Sequence, residues 1–127
     1  MKAIFTKEAP APVGPYSQAI QSGSLLFVSG QIALDPQTEE LLTNDIKVET
    51  HTVMKNIGRV LAAAGLSYNQ VLKCSIFVKD INQYSDINEV YSTYFTSDTP
   101  PARELVEVSA LPKGVNIEIS VIASKNQ

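Results

Sequence analysis

The hydrophobic period of this chain changes several times, and each change marks an element. Residues 17–22, "SQAIQS", and 24–29, "SLLFVS", are short strand-like runs broken at Gly23, which predicts an early hairpin. The following "LDPQTEE" is turn chemistry, with Asp35-Pro36 setting the turn and the acids left in water. In "TNDIKVETHTVMKNIGRVLAAAG" the period lengthens. Ile46, Val53, Ile57, Val60, Leu61 and Ala64 fall on one helical face. Asn44 or Asp45 can cap this helix, and Gly65 stands where a left-handed terminal residue belongs. Residues 71–78, "VLKCSIFV", return to period two, with Leu72, Cys74, Ile76 and Val78 sharing a face. A second helix is predicted in "SDINEVYSTYF", where Ile87, Val90, Tyr91, Tyr94 and Phe95 form the stripe and Ser85 is the candidate cap. Strands near 103–108 and 115–123 close the chain around "ALPKG". In the last one Val115, Ile117, Ile119 and Val121 point one way, and Asn116, Glu118 and Ser120 the other.

The order is strand, strand, helix, strand, helix, strand, strand. Each helix has one apolar stripe, so the economical arrangement is an α+β fold with one sheet and both helices on one face. A crossover joining parallel strands through a helix is expected to be right-handed. The run 24–29 is apolar on both sides: Leu26 and Val28 face one way, Leu25, Phe27 and Ser29 the other. The helix-free face would then expose an apolar patch, which predicts a homo-oligomer built on that face.

Composition narrows the function. A chain of 127 residues, 44% hydrophobic and 18% charged, is expected to form one globular domain over 1–127 with its own core. The net charge is -3 with no basic stripe, so nucleic-acid binding is not expected. No apolar run reaches membrane-spanning length. The N-terminal stretch turns charged and proline-rich too early for a secretory signal, and a cytoplasmic location is expected. One cysteine and one histidine leave no internal disulfide and no multi-histidine metal site. Cys74 reads as core and His51 as exposed. No GxGxxG or P-loop sequence is present, and no cofactor or metal is expected.

The candidate chemistry lies in "DTPPARELVEV", residues 98–108. Pro100 and Pro101 stiffen the path into a strand immediately before Arg103. Alternation puts Arg103, Leu105 and Glu107 on one face and Val106 and Val108 on the other, taken as the helix side. With Ile117 and Ile119 also facing the helices, Glu118 shares the helix-free face with Arg103. Pairing of these strands as a hairpin would bring the two charges within one or two residue pairs. Such an Arg–Glu arrangement has two readings. One is an interface salt bridge of little net energy. The other is an anion clamp, using the planar guanidinium fork, beside a carboxylate that polarises water.

Five blocks, "GPYSQAI" (14–20), "LLFVSGQI" (25–32), "AAGLS" (63–67), "IFVKD" (76–80) and "PPARELVEVSALPKGVNIEISVIA" (100–123), resemble the RidA/YjgF family of enamine/imine deaminases. The resemblance spans almost the whole chain. It implies a chorismate-mutase-like single mixed sheet with two helices on one face, in the order βββαβαββ or close to it. It also implies a homotrimer with a central β-barrel and intersubunit sites. The implied reaction hydrolyses 2-aminoacrylate and 2-aminocrotonate, released by pyridoxal-phosphate-dependent serine and threonine dehydratases, to 2-keto acids and ammonia, without cofactor or metal.

By the same resemblance Arg103 holds the substrate carboxylate, aimed into the cleft by the "TPPA" bend, and Glu118 positions the water. Tyr16 is the pocket aromatic, Ser29 a small polar lining residue, and Gly30 allows close backbone approach. Gly14 and Pro15 place Tyr16. Asn88 also matches the family, with a capping or tertiary hydrogen bond as its expected role. The chain departs from the family where many members carry Ser-Cys after the arginine. Here Glu104 and Leu105 follow. Leu105 would line the pocket with bulk rather than a thiol, and Glu104 would point beneath the helices, where nothing accounts for it. Two other functions compete with the deaminase. One is a metabolite-binding regulatory trimer holding a keto acid or similar carboxylate. The other is RNA cleavage, which the net charge and the lone His51 oppose.

Overall fold

Three antiparallel strands open the chain: β1 (Lys2–Ile4), β2 (Ala19–Ser22) and β3 (Leu25–Gln31). The computed structural model describes residues 1–126. Helix α1 (Ile46–Ala63), strand β4 (Val71–Val78), helix α2 (Tyr84–Ser92), and strands β5 (Ala102–Glu107) and β6 (Ile117–Ser124) follow. The six strands form one mixed sheet in the order β1-β2-β3-β6-β4-β5. The strand β1, absent from the reading of hydrophobic period, is three residues long, too short to show one, and exists through its pairing with β2. With it, the order is the βββαβαββ that the resemblance implies.

The topology is a split arrangement. Strand β6 lies between β3 and β4 and is antiparallel to both, while β5 pairs with β4 in parallel at the sheet edge. The hairpin expected between β5 and β6 does not form, because β4 separates them. Both helices pack on one face. Val53, Met54, Ile57, Val60 and Leu61 of α1 bury against Leu26, Val28, Cys74, Ile76, Ile117, Ile119 and Val121 of the sheet. The Asp45 side chain caps α1 by accepting from the Lys47 and Val48 N–H groups, a contact worth about 1 kcal/mol in helices generally. Gly65 ends the helix region with φ +76°, where a side chain would be strained.

Two expectations on local structure are corrected. A register irregularity between Val71 and Lys73 turns Val71 into the core and Leu72 outward, so Leu72 does not share the face of Cys74 and Ile76. Ser85 does not cap α2. Asp80 caps a short 3-10 turn at Ile81–Gln83 that runs directly into the helix, placing Ser85 inside it. The helix-free face is apolar as expected, with Leu25 and Phe27 37% and 43% exposed; Val106, expected on the helix side, is in register with Phe77 and joins them at 42%. No helix among the described residues is long and apolar enough to cross a membrane.

Candidate functional site

Strand β3 loses register against β6 between Val28 and Gln31, at Ser29-Gly30. Glu118, on the helix-free face of β6, lies against this irregularity. A Cβ on Gly30 would stand 2.6 Å from the Glu118 Oε2, so only glycine leaves the carboxylate its place. The segment before β2 forms the other wall. Buried Gln18 pins it: its amide nitrogen donates to the carbonyls of Thr6 and Pro10, and its oxygen accepts from the Thr6 N–H. The result is a cleft of about 210 Å3 lined by Val13, Tyr16, Gly30, Ile32, Pro112 and Glu118, among others. Its walls are largely apolar, and burial raises the Glu118 pKa above its ordinary value. The Tyr16 hydroxyl accepts weakly from the Val13 N–H at 3.4 Å, and its ring is 54% exposed. Ser29 donates its hydroxyl to the Ser17 carbonyl at 2.6 Å, which ties β3 to the segment carrying Tyr16.

Arg103 lies elsewhere. Parallel pairing puts Arg103 in register with the buried Cys74, so its side chain leaves the sheet on the helix side, over the edge of α2. Its guanidinium carbon sits 4.8 Å from the Tyr91 ring centroid and 5.6 Å from that of Tyr84, and its Nη2 donates to the Tyr84 hydroxyl at 3.1 Å. Leu105 is in register with Ile76 and packs half-buried against the core on the same face, as its alternation with Arg103 predicts. Glu118, by contrast, is in register with Phe77 and projects from the opposite face. The expectation that Arg103 and Glu118 share the helix-free face is therefore wrong. An edge strand that pairs in parallel, rather than as a hairpin, has its faces set by β4, and two strand spacings of roughly 5 Å each separate β5 from β6. The two residues do not pair within one chain.

The same inversion relocates Glu104. It projects from the helix-free face, where the Ser75 hydroxyl donates to it and Lys73 pairs with it at 3.2 Å. The Ser75 hydrogen bond and then Lys73 hold its pKa below the usual carboxylate value. The charge that had no account beneath the helices is thus satisfied at the open face. His51 is not freely exposed: its Nδ1 lies 2.8 Å from the Tyr94 hydroxyl and its ring packs edge-on against that tyrosine. Cys74 is fully buried, and burial pushes its thiol up to about 11. Asn88 lies one turn from Tyr84 on α2 and lowers the Tyr84 pKa, which places it beside a neighbour of Arg103.

Tyr84 was not singled out from the sequence, and Tyr91 was read only as core. The signal existed: they stand seven residues apart, two helical turns on one face of α2. Among the described residues no cluster of three potential metal ligands occurs.

The family described as Endoribonuclease L-PSP matches residues 6–125. A RutC family protein of Sulfurisphaera tokodaii is 54% identical over 98% of this chain and 99% of its own. A mouse protein named 2-iminobutanoate/2-iminopropanoate deaminase is 42% identical over 96% of this chain and 90% of its own. Among solved structures, E. coli TdcF with bound serine superposes with a TM-score of 0.94 at 39% identity, covering 99% of this chain and 100% of that one.

Proposed function

This chain belongs to the Endoribonuclease L-PSP family, the RidA/YjgF family, and from that membership we propose that it hydrolyses small 2-imino carboxylates to 2-keto acids and ammonia. The observation that carries this reading is a carboxylate of raised pKa, Glu118, seated in a cleft of about 210 Å3 between Gly30 and Tyr16. A base with that environment is better matched to deprotonating water than an ordinary glutamate. Arg103 supplies the complementary charge, with a guanidinium oriented by two tyrosines.

Since Arg103 and Glu118 leave opposite faces of the sheet, the complete site is assembled between subunits, with the arginine of one chain facing the carboxylate of the next. A homotrimer closed through the apolar helix-free face provides that meeting. Arg103 binds the substrate carboxylate through two parallel N–H bonds. Glu118 accepts a proton from water as its oxygen adds to the C=N carbon and hands that proton to the imine nitrogen, giving a carbinolamine. Glu118 then takes the carbinolamine hydroxyl proton as the C=O forms and passes it to the nitrogen as the C–N bond breaks, releasing the 2-keto acid and ammonia. The Tyr16 ring packs on the planar imine. Ser29 fixes the backbone on which Gly30 and Tyr16 sit.

The mouse relative's name supports the reaction class, and the serine held by TdcF supports a pocket for a small amino carboxylate. The family's description also mentions endoribonuclease activity. The cleft beside Glu118 is apolar apart from Glu118, Lys113, two glutamines and the Tyr16 hydroxyl, and His51 packs on Tyr94, so the geometry favours the imine over a polyanion. The test is a coupled assay in which a serine or threonine dehydratase generates the enamine and keto-acid appearance is followed. Wild type should accelerate it and Arg103→Ala should lose most of that acceleration while remaining folded and oligomeric. No acceleration by folded wild type would move the reading to a metabolite-binding trimer.

A further inference from the structure

The proposed carboxylate clamp has an unassigned neighbour. The Tyr84 oxygen accepts from Arg103 Nη2 at 3.1 Å, and Asn88, one turn along α2, is close enough to lower the Tyr84 pKa. A hydroxyl has two acceptor positions and one donor. With one acceptor position taken by the Arg103 N–H, the hydroxyl hydrogen must point away from that N–H. Tyr84 is 43% exposed, which leaves that hydrogen open space beside the guanidinium. Tyr91, buried beneath Arg103, keeps the guanidinium plane in place. Two donors of different kinds, a guanidinium and a phenol, therefore converge on one exposed point at the edge of β5 and α2.

We propose that Tyr84 is a second carboxylate-binding residue of the site, donating its hydroxyl to one substrate oxygen while Arg103 engages the group, with Asn88 as the residue that orients Tyr84. The proposal rests on the reading of Arg103 as the anion clamp. It assigns Tyr84 a donor role that a purely structural stacking tyrosine lacks, since stacking needs only the ring. It also brings a pH dependence. Asn88 first, and Arg103 second, lower the Tyr84 pKa below 10.0. On ionisation the phenolate loses its hydrogen, neutralises Arg103 and repels a carboxylate.

The experiment is calorimetric titration of the full-length protein with 2-oxobutanoate, a stable 2-keto carboxylate, at neutral pH and again towards pH 10. It compares wild type, Tyr84→Phe, Asn88→Ala and Arg103→Ala, with KM and kcat for the generated imine measured in parallel. Tyr84→Phe keeps the ring on an exposed surface. It should weaken keto-acid binding about tenfold, the scale of one hydrogen bond to a charged group, and raise KM with kcat within about twofold. Wild-type binding should weaken towards pH 10, with the Tyr84→Phe affinity nearly flat over the same range. Loss of binding in Arg103→Ala alone, with Tyr84→Phe binding like wild type, would overturn the Tyr84 role and leave the clamp standing. Unchanged binding in Arg103→Ala, or none in wild type, would overturn both.

Discussion

Glu118 shows at the residue scale how place converts an ordinary side chain into a candidate base. Burial raises its pKa above the usual 4.5, so a larger fraction is protonated in weak acid than for an exposed glutamate. Only the carboxylate can take a proton from water. Turnover should therefore be low in acid and rise with pH through that raised value. Stability runs the other way. The folded pKa exceeds the unfolded one, so the contribution of this group is full below the unfolded value and is lost as pH climbs through the folded one. Glu118→Gln should cut kcat by roughly a hundredfold or more, and near neutrality should unfold at a higher denaturant concentration than wild type. Rate profiles against pH and urea titrations of both proteins check this; a wild-type acid limb at the ordinary carboxylate pKa would contradict it. The face of Glu118 was legible because β6 alternates cleanly and is buried on one side; the place of Gly30 against it was not, because the register irregularity after Val28 breaks the alternation of β3. The orientation of Arg103 was not. On β5 both faces are at least partly open, so alternation alone could not say which is inner, and only the pairing with β4 decides.

At the scale of elements, one helix sets the spacing of the cleft. Glu49 and Asn56 are seven residues apart on α1 and both fully buried. The Glu49 carboxylate accepts from the backbone N–H groups of Asn116 and Ile117 and from the Asn116 amide, fixing the start of β6 two residues before Glu118. Asn56 donates to the carbonyls of Ile32 and Leu34 in the opposite wall. The helix was the best-defined element in the sequence, with cap, stripe and terminal glycine all where the pattern placed them. Its two buried polar residues carried no such signal, because a polar side chain near an apolar stripe looks the same whether it is solvated or bonded to a strand. Glu49→Ala should leave the backbone N–H groups of Asn116 and Ile117 without their acceptor, while the Asn116 amide keeps the Thr43 carbonyl, and destabilise the fold by about 2–4 kcal/mol. Urea unfolding measures that. A loss below about 0.5 kcal/mol, typical of a surface substitution, would mean water satisfies those groups as well.

The whole molecule presents the two charges of the proposed site on opposite sides of one sheet. The apolar helix-free face, with Leu25, Phe27 and Val106 partly exposed, would give the proposed association its driving force. The apolar helix-free face was legible in the sequence from residues 24–29 alone; the separation of Arg103 from Glu118 was not, because the mistaken hairpin put both charges on one face. The corrected geometry makes a sharper prediction. If each active cleft takes Arg103 from one subunit and Glu118 from its neighbour, two inactive variants should rescue each other. In a mixed oligomer, a cleft is intact when Arg103 comes from a Glu118→Gln chain and Glu118 from an Arg103→Ala chain. Random assembly of equal amounts satisfies both conditions in about a quarter of clefts. Co-expression with two different tags, purification through both, and the coupled assay should then return a substantial fraction of wild-type turnover from chains that are each inactive alone. Absence of any recovery in a verified mixed oligomer would mean that the arginine and the carboxylate do not meet across subunits, and the water and the carboxylate clamp would have to be sought on one face of a single chain.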